Sequence, residues 1–305
     1  MGKNINIYCG DSRKVLKQFP DGYFNLIITS PPYADARKKH YHSIPPNEYP
    51  DFFETFHEEF WRVLSCDGSF VLNIKDKVID GVRHRYVWKT IEKLTELGWR
   101  CVDDYIWLKT NAMPGYWRNR LRDEWEYCFH LSKDKKFAMY QDSVKKPIGE
   151  WAQTRLRNLT GKSAERHNSE NQSGFGRDLR SWKDKDMVLP GNIISVPLVG
   201  KNMGHPAVFP VGLPEFFIKL FTKKNDNVLD PFAGSGSTGL AAKALHRNAV
   251  LIELEKNYVE VIKKRIHDYV AFPNETEKLI PQTKSNSEIF QYELNYEEQQ
   301  ATQLE

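Results

Sequence analysis

The chain has 305 residues, 40% of them hydrophobic and 28% charged, with a mean hydropathy of −0.61. That length suggests one large domain or two small ones, with a core that needs no disulfide or metal staple, and the apolar content excludes a disordered or collagen-like chain. The formal net charge of +4 is uneven, because residues 271–305 hold seven acids against Lys278 and Lys284; a basic body with an acidic tail points to a polyanionic partner or to a solvated tail. No apolar run approaches the roughly 20 residues that cross a bilayer, so no membrane partner is expected. The opening stretch to Ser12 lacks the apolar segment of a signal peptide. Cys9, Cys66, Cys101 and Cys128 lie far apart with no Cys-x-x-Cys spacing, so neither a disulfide scaffold nor a metal site is expected, and a reducing cytoplasm is.

In chain order, residues 5–8 read as a short strand and residues 12–19 as one short helix capped by Ser12. A turn at Pro20, Asp21 and Gly22 leads to a buried strand at 24–28, which runs into Thr29-Ser30-Pro31-Pro32-Tyr33. Helical spacing over 48–64, a strand at 69–74, a helix at 86–97 stopped by Gly98 and a strand at 101–108 follow. Residues 145–186 break the alternation: ten basic residues face six acids, Gly, Ser and Asn abound, and aliphatics are few. A loop region of that length in a compact domain is functional or disordered. Alternation resumes with strands at 193–196, 227–230 and 249–254 and helices at 213–221, 240–246 and 258–269. Strands alternating with helices imply an α/β fold with a mostly parallel sheet.

Two motifs carry chemistry. After the strand ending at Asp230, Gly234, Gly236 and Gly239 fit G-x-G-x-x-G, and Glu253 ends the next strand. Glycines let a ligand approach the backbone, and an acid at the neighbouring strand tip can accept both ribose hydroxyl hydrogens. The pattern fits an adenosine-containing cofactor or a tight structural turn; no G-K-[ST] ending is present, which disfavours a phosphate-gripping loop. The second motif is Ser30-Pro31-Pro32-Tyr33. Two prolines remove two N–H donors, leaving an acceptor-rich slot beside an aromatic face that suits a planar ring with an amino group. Read alone, the motif is equally a proline-rich exit from a strand.

Together the motifs resemble those of the DNA amino-methyltransferases, in particular the permuted (beta-class) group in which S-P-P-Y precedes the cofactor motif. The resemblance covers about residues 4–270 and rests on D-P-F-A-G-S-G-S-T followed by L-I-E-L-E-K-N-Y. It implies a Rossmann-like S-adenosylmethionine-dependent methyltransferase fold: α/β, a mostly parallel sheet with helices on both faces, and an irregular DNA-recognition insertion. It divides the chain into a catalytic half (1–144), a variable basic region for target recognition (145–190), a cofactor-binding half (191–270) and an acidic tail (271–305).

The same resemblance assigns roles. Ser30, Pro31, Pro32 and Tyr33 form the catalytic set. Asp11, Thr29, His205, Asp230, Phe232, Gly234, Gly236, Ser237, Thr238 and Glu253 are expected to bind S-adenosylmethionine. Trp107-Leu108-Lys109 to Pro114, then Glu126-Tyr127, resembles the segment lining the target-base pocket, with Thr110 and 115–117 departing from the family pattern. Ser30, where adenine-specific members carry Asp, implies the exocyclic N4 amine of cytosine; adenine N6 is the alternative. A base inside a duplex must be flipped out to be reached. Lys109, Arg118, Arg120 and Arg122, in a stretch without acids, together with Arg155 and Arg157, are the expected phosphate and base contacts. Partners implied are double-stranded DNA and a cognate restriction endonuclease, with the enzyme a monomer or homodimer. A nicotinamide-dependent oxidoreductase would share the glycine motif, but Asp-Pro-Phe-Ala separates the strand from the first glycine and no hydride-transfer site accompanies it.

Overall fold

Runs such as Phe24–Thr29 and Asn227–Asp230 carry apolar residues at successive positions, the pattern of strands covered on both faces. In the computed structural model, which describes residues 5–35, 44–112, 114–116, 118–158, 165–166, 177–178, 185–199 and 209–269, they lie at the centre of an eight-stranded sheet. Its strands are β1 (Ile5–Cys9), β2 (Phe24–Thr29), β3 (Leu64–Ile74), β4 (Arg100–Leu108), β5 (Trp125–Ser132), β6 (Ile193–Ser195), β7 (Asn227–Asp230) and β8 (Asn248–Glu253), in the spatial order β1-β8-β7-β2-β3-β5-β4-β6. Every neighbouring pair is parallel except those made by β5, which is antiparallel to both β3 and β4.

Side chains alternate between two cores along each central strand. Leu26, Ile28, Val71, Val228 and Leu251 point to one face, where Leu213, Phe217 and Phe221 of α6 (Gly212–Phe221) and Ala241 of α7 (Ser237–Ala244) cover them. Phe24, Ile27, Phe70, Leu229 and Ile252 point to the other, under Phe53 of α2 (Tyr49–Glu54), Phe60 of α3 (His57–Val63) and Tyr86 of α4 (Tyr86–Glu96). Trp99 belongs to this second core, and Trp61 and Trp88 pack against it.

Several local expectations are revised. The helix after β1 runs only over α1 (Ser12–Val15), continued by a 3-10 turn, and its cap is Asp11 rather than Ser12, because the Asp11 carboxylate accepts the Arg13 N–H. The helical stretch 48–64 is two helices broken at Thr55 and Phe56. Helix α7 begins at Ser237, directly on the glycine turn. Strand β5 and the small hairpin pairing Lys77–Ile79 with Val82–His84 fall in stretches that carry no sequence assignment.

Residues 1–146 and 188–271 form one compact unit, which contains the whole sheet. The described residues between 147 and 187 belong to a second unit. Within it, α5 (Glu150–Arg157) and an antiparallel pair of Glu165–Arg166 with Arg177–Asp178 are described. Most of the basic insertion and the tail from residue 270 lie outside the described residues.

Phe70 is fully buried in mid-sheet, stacked on Phe53 (centroids 6.3 Å) and edge-on to Phe60 and Trp99. Phe70→Ala is expected to cost about 3–5 kcal/mol of folding stability. Equilibrium urea unfolding would show this as a lower midpoint with an unchanged slope; a midpoint within error of the parent would refute the packing role.

Candidate active site

Because β1, β8, β7, β2 and β3 run parallel, their carboxyl ends share one edge of the sheet, and antiparallel β5 brings its amino end to the same edge. Asp11, Glu253, Asp230, Thr29, Asn73 and Glu126 are thereby set along one line, where ligands of open parallel sheets bind. The two motifs, some 200 positions apart in the chain, meet there directly: Thr29 Oγ1 donates to Asp230 Oδ1 at 2.7 Å.

Asp230 organises the glycine turn. Its Oδ1 also accepts the Phe232 N–H (3.2 Å), and its Oδ2 accepts from Thr238 Oγ1 (2.5 Å). Burial pushes the Asp230 carboxyl up to about 6, against the pull of these three donors. The turn itself needs glycine. Gly234 and Gly236 have φ of +53° and +84°, and a Cβ on Gly236 would lie 2.8 Å from Ile262 Cγ2. Gly234 N–H donates to Glu253 Oε2 (2.8 Å), and the Glu255 N–H donates to Oε1 (2.9 Å). Burial raises the Glu253 carboxyl above its ordinary value. Ser12 Oγ reaches across to donate to the Pro231 carbonyl at 2.5 Å. Arg265, absent from the sequence-based set, donates to the Ser235 carbonyl at 2.6 Å and to Ser235 Oγ at 2.8 Å, and lies 3.4 Å from Ser237 Oγ.

Asp11 both caps α1 and pairs with Arg13 (2.5 Å), which holds its carboxyl below the usual range. Arg13 lies over the Phe56 ring, and Phe56 packs edge-on to Phe232 at 5.0 Å, so Asp11 and Phe232 border the same corner. This edge presents Asp11, Asp230 and Glu253 and a backbone turn. The glycine turn lets a ligand approach the backbone, and the Glu253 carboxylate at the neighbouring strand tip can accept ribose hydroxyl hydrogens, so the residues fit the adenosine of S-adenosylmethionine. His205 lies outside the described residues.

The S-P-P-Y loop leaves β2 beside this turn. Tyr49 Oη donates to the Pro32 carbonyl at 2.8 Å, fixing the loop from below. Tyr33 Oη donates to Glu126 Oε2 at 2.5 Å and lies 3.1 Å from Asn73 Oδ1 and 3.2 Å from Ser30 Oγ. Lys109 Nζ donates to Glu126 Oε1 at 2.5 Å and sits over the Trp107 ring. Burial and the Glu126 charge push the Tyr33 phenol well above its ordinary value, so it stays protonated. Asn73, read from the sequence only as part of a strand, is absent from the sequence-based site set, whereas Glu126, which the resemblance of Glu126-Tyr127 places near the base pocket, lies on strand β5.

The basic residues are placed differently from expectation. Lys109 is only 10% exposed at its side chain and is committed to Glu126 rather than turned to a surface. Arg120 lies 3.6 Å from Asp123, and Arg122 pairs with Glu124 and donates to the Ala112 carbonyl. The acid-free stretch ends just before Asp123, Glu124 and Glu126, and the fold uses those acids to neutralise three of its four cations. Arg118 is exposed. Arg155 and Arg157 lie in the last turn of α5, within the second unit.

A mostly parallel sheet carrying a glycine turn and acidic strand tips at its carboxyl edge defines the class of S-adenosylmethionine-dependent methyltransferases. The model of the DNA methylase family matches residues 24–264, and the chain belongs to that family. The type II methyltransferase M.PvuII of Proteus hauseri is 30% identical over 296 residues, covering 87% of this chain and 84% of the relative. M.Cfr9I of Citrobacter freundii is 28% identical over 298 residues, covering 85% and 87%. Among solved structures, the PvuII DNA methyltransferase (cytosine-N4-specific) superposes with a TM-score of 0.66 at 27% identity, covering 92% of this chain and 91% of that one. A complex of M1.HpyAVI with S-adenosylmethionine gives a TM-score of 0.57 at 25% identity, covering 86% and 98%.

The elevated Asp230 pKa has a stability signature. The folded protein holds this proton up to about pH 6, whereas the unfolded chain releases it near 3.8. Its contribution is therefore intact below about pH 4, declines as pH rises to about 6, and is flat above, with a total of up to about 3 kcal/mol. Asp230→Asn removes this slope. Urea unfolding of parent and variant from pH 4 to 7 should show the difference in stability changing only in that window; parallel curves would contradict the assignment.

Proposed function

We propose that this protein transfers a methyl group from S-adenosylmethionine to the exocyclic N4 amine of a cytosine flipped out of double-stranded DNA, as the modification enzyme of a restriction-modification system in the cytoplasm. The observation that carries the reading is the Thr29–Asp230 bond, which seats the S-P-P-Y loop against the glycine turn at one sheet edge. Ser30 in place of an acidic residue, and the likeness to a structure titled cytosine-N4-specific, support cytosine as the base. The order of the motifs along the chain, S-P-P-Y first, supports the permuted beta class. A cognate endonuclease cutting the same DNA site would complete the system.

S-adenosylmethionine supplies a methyl group already activated on a sulfonium, so neither a metal nor a covalent enzyme intermediate is required. The chain's task is to make a delocalised amine nucleophilic. Ser30 Oγ and the Pro31 carbonyl accept the two amine hydrogens, which draws the nitrogen toward tetrahedral geometry and stabilises its developing positive charge. Tyr33, its hydroxyl anchored on Glu126, offers its ring face to the base. Asp11, Phe232, Gly234 and Glu253 hold the cofactor, and alignment does the rest. Arg118, Arg155 and Arg157 remain the candidates for DNA contacts.

The test is incubation with radiolabelled S-adenosylmethionine and unmethylated duplex DNA, digestion to nucleosides and identification of the labelled one. Label in N4-methyl-2′-deoxycytidine is expected; label in N6-methyl-2′-deoxyadenosine would overturn the base assignment, and transfer to RNA alone would overturn the DNA substrate. Ser30→Ala should reduce turnover by about 10²-fold with cofactor affinity nearly unchanged. Gly236→Val, forced into a positive φ and onto Ile262, should instead lose cofactor binding in calorimetry. Equal binding defects in both variants would contradict the division of roles.

A further inference from the structure

The hydrogen bonds beneath the S-P-P-Y loop form a chain with a direction. A phenol has one proton to donate. Tyr33 commits it to Glu126 Oε2 at 2.5 Å, the shortest of its three contacts and the only one to a carboxylate. The Tyr33 oxygen can then only accept from Ser30, 3.2 Å away, so the Ser30 hydroxyl donates to it. Asn73 does not reverse this, because its Nδ2 donates to the Tyr127 carbonyl (2.9 Å) and only its Oδ1 faces Tyr33. Ser30 is left with lone pairs alone for any further partner. Glu126 is buried, and Lys109 occupies its other oxygen.

We propose that Glu126, acting through Tyr33, is the positioning residue that makes Ser30 a pure acceptor for the substrate amine, and that the proton released on methylation leaves along Ser30, Tyr33 and Glu126. The proposal rests on the function given above. Once its new bond to carbon has formed, the amine nitrogen carries one proton too many. Its N–H bond breaks, the electron pair stays on nitrogen, and the proton binds Ser30 Oγ. The Ser30 proton passes to Tyr33 Oη and the Tyr33 proton to Glu126 Oε2, which ends as a neutral acid. No further reactant is needed. A protonated exocyclic amine is a far stronger acid than a carboxylic acid, so the transfer runs downhill.

Glu126→Gln keeps the shape and removes the terminal proton acceptor: Lys109 claims the amide oxygen, the amide NH₂ donates to Tyr33, and the Tyr33 proton turns to Asn73 Oδ1 or Ser30 Oγ, so no anion remains to take the proton relayed from Ser30. Single-turnover methylation of unmethylated duplex DNA by Glu126→Gln, Tyr33→Phe and the double variant tests this, with affinities for S-adenosylmethionine and DNA measured alongside. Each single variant should slow the step by about 10²-fold with little change in either affinity, and the double variant should be no slower than Tyr33→Phe. In tyrosine-Cζ-labelled, ligand-free protein, the ¹³C resonance missing from Tyr33→Phe should ionise at lower pH in Glu126→Gln, where no anion opposes the phenolate. Additive losses, or a Glu126→Gln rate equal to that of the parent, would overturn the proposal. Should Glu126→Gln fail to fold, Tyr33→Phe decides: slow turnover with intact binding supports it, and an unchanged rate overturns it. Absence of any transfer to DNA by the unaltered chain would overturn the function itself, whereas transfer with an unaffected Glu126→Gln overturns only this inference.

Discussion

A carboxyl group buried where Asp230 sits is costly unless donors surround it. Three do: Thr29 from the S-P-P-Y strand, Thr238 from the helix after the glycine turn, and the Phe232 N–H from the turn itself. That requirement welds the two motifs into one site. The parallel pairing of Leu26 with Val228 and Ile27 with Leu229 brings the strands together, but it is the polar group at their shared end that sets the relative height of the two loops. A displaced Thr29 would strand the carboxylate, so the spacing between cofactor turn and base slot is held by the cost of an unmet hydrogen bond rather than by apolar packing, which tolerates small slips.

Much of this was legible in the sequence, and the reasons differ by element. Strands covered on both faces read as unbroken apolar runs, so β2, β3 and β7 stand out, and the short links between alternating elements imply a parallel sheet. The glycine turn and S-P-P-Y are local patterns whose chemistry sits in consecutive residues. Their adjacency is not local. It follows from strand order, which is set by pairing between segments about 200 positions apart.

What escaped reading depends on contacts between distant segments. Strand β5 is antiparallel to both neighbours and follows a polar stretch, so alternation of strand and helix does not announce it. The resemblance places Glu126 near the base pocket, but its partners Tyr33 and Lys109 emerge only once the sheet is assembled. For a related reason, charge counted along the chain from Lys109 to Arg122 says nothing of the acids that folding brings beside it. Asp11 shows the opposite case, where capping α1 and pairing with Arg13 are both local, and its position at the cofactor edge is inherited from β1.

The carboxylates of the edge are met in different ways. At the tips of β1, β7 and β8, Asp11 is paired with Arg13, Asp230 is met by three hydrogen-bond donors and Glu253 by two backbone N–H groups. The tips of β2, β3 and β5 present Ser30, Tyr33, Asn73 and Glu126, and here the single acid is neutralised by Lys109. The difference matters for a reaction that converts a neutral amine into a transient cation and then into a neutral product. An unneutralised carboxylate under the base slot would hold the cationic species and raise the cost of bringing a polyanion to the same edge. With Lys109 in place, the proposed base slot keeps hydrogen-bond direction while its one carboxylate is ion-paired. Lys109 therefore contributes more buried beneath the slot than it would on the surface, where a cation would serve only as one more phosphate contact among many.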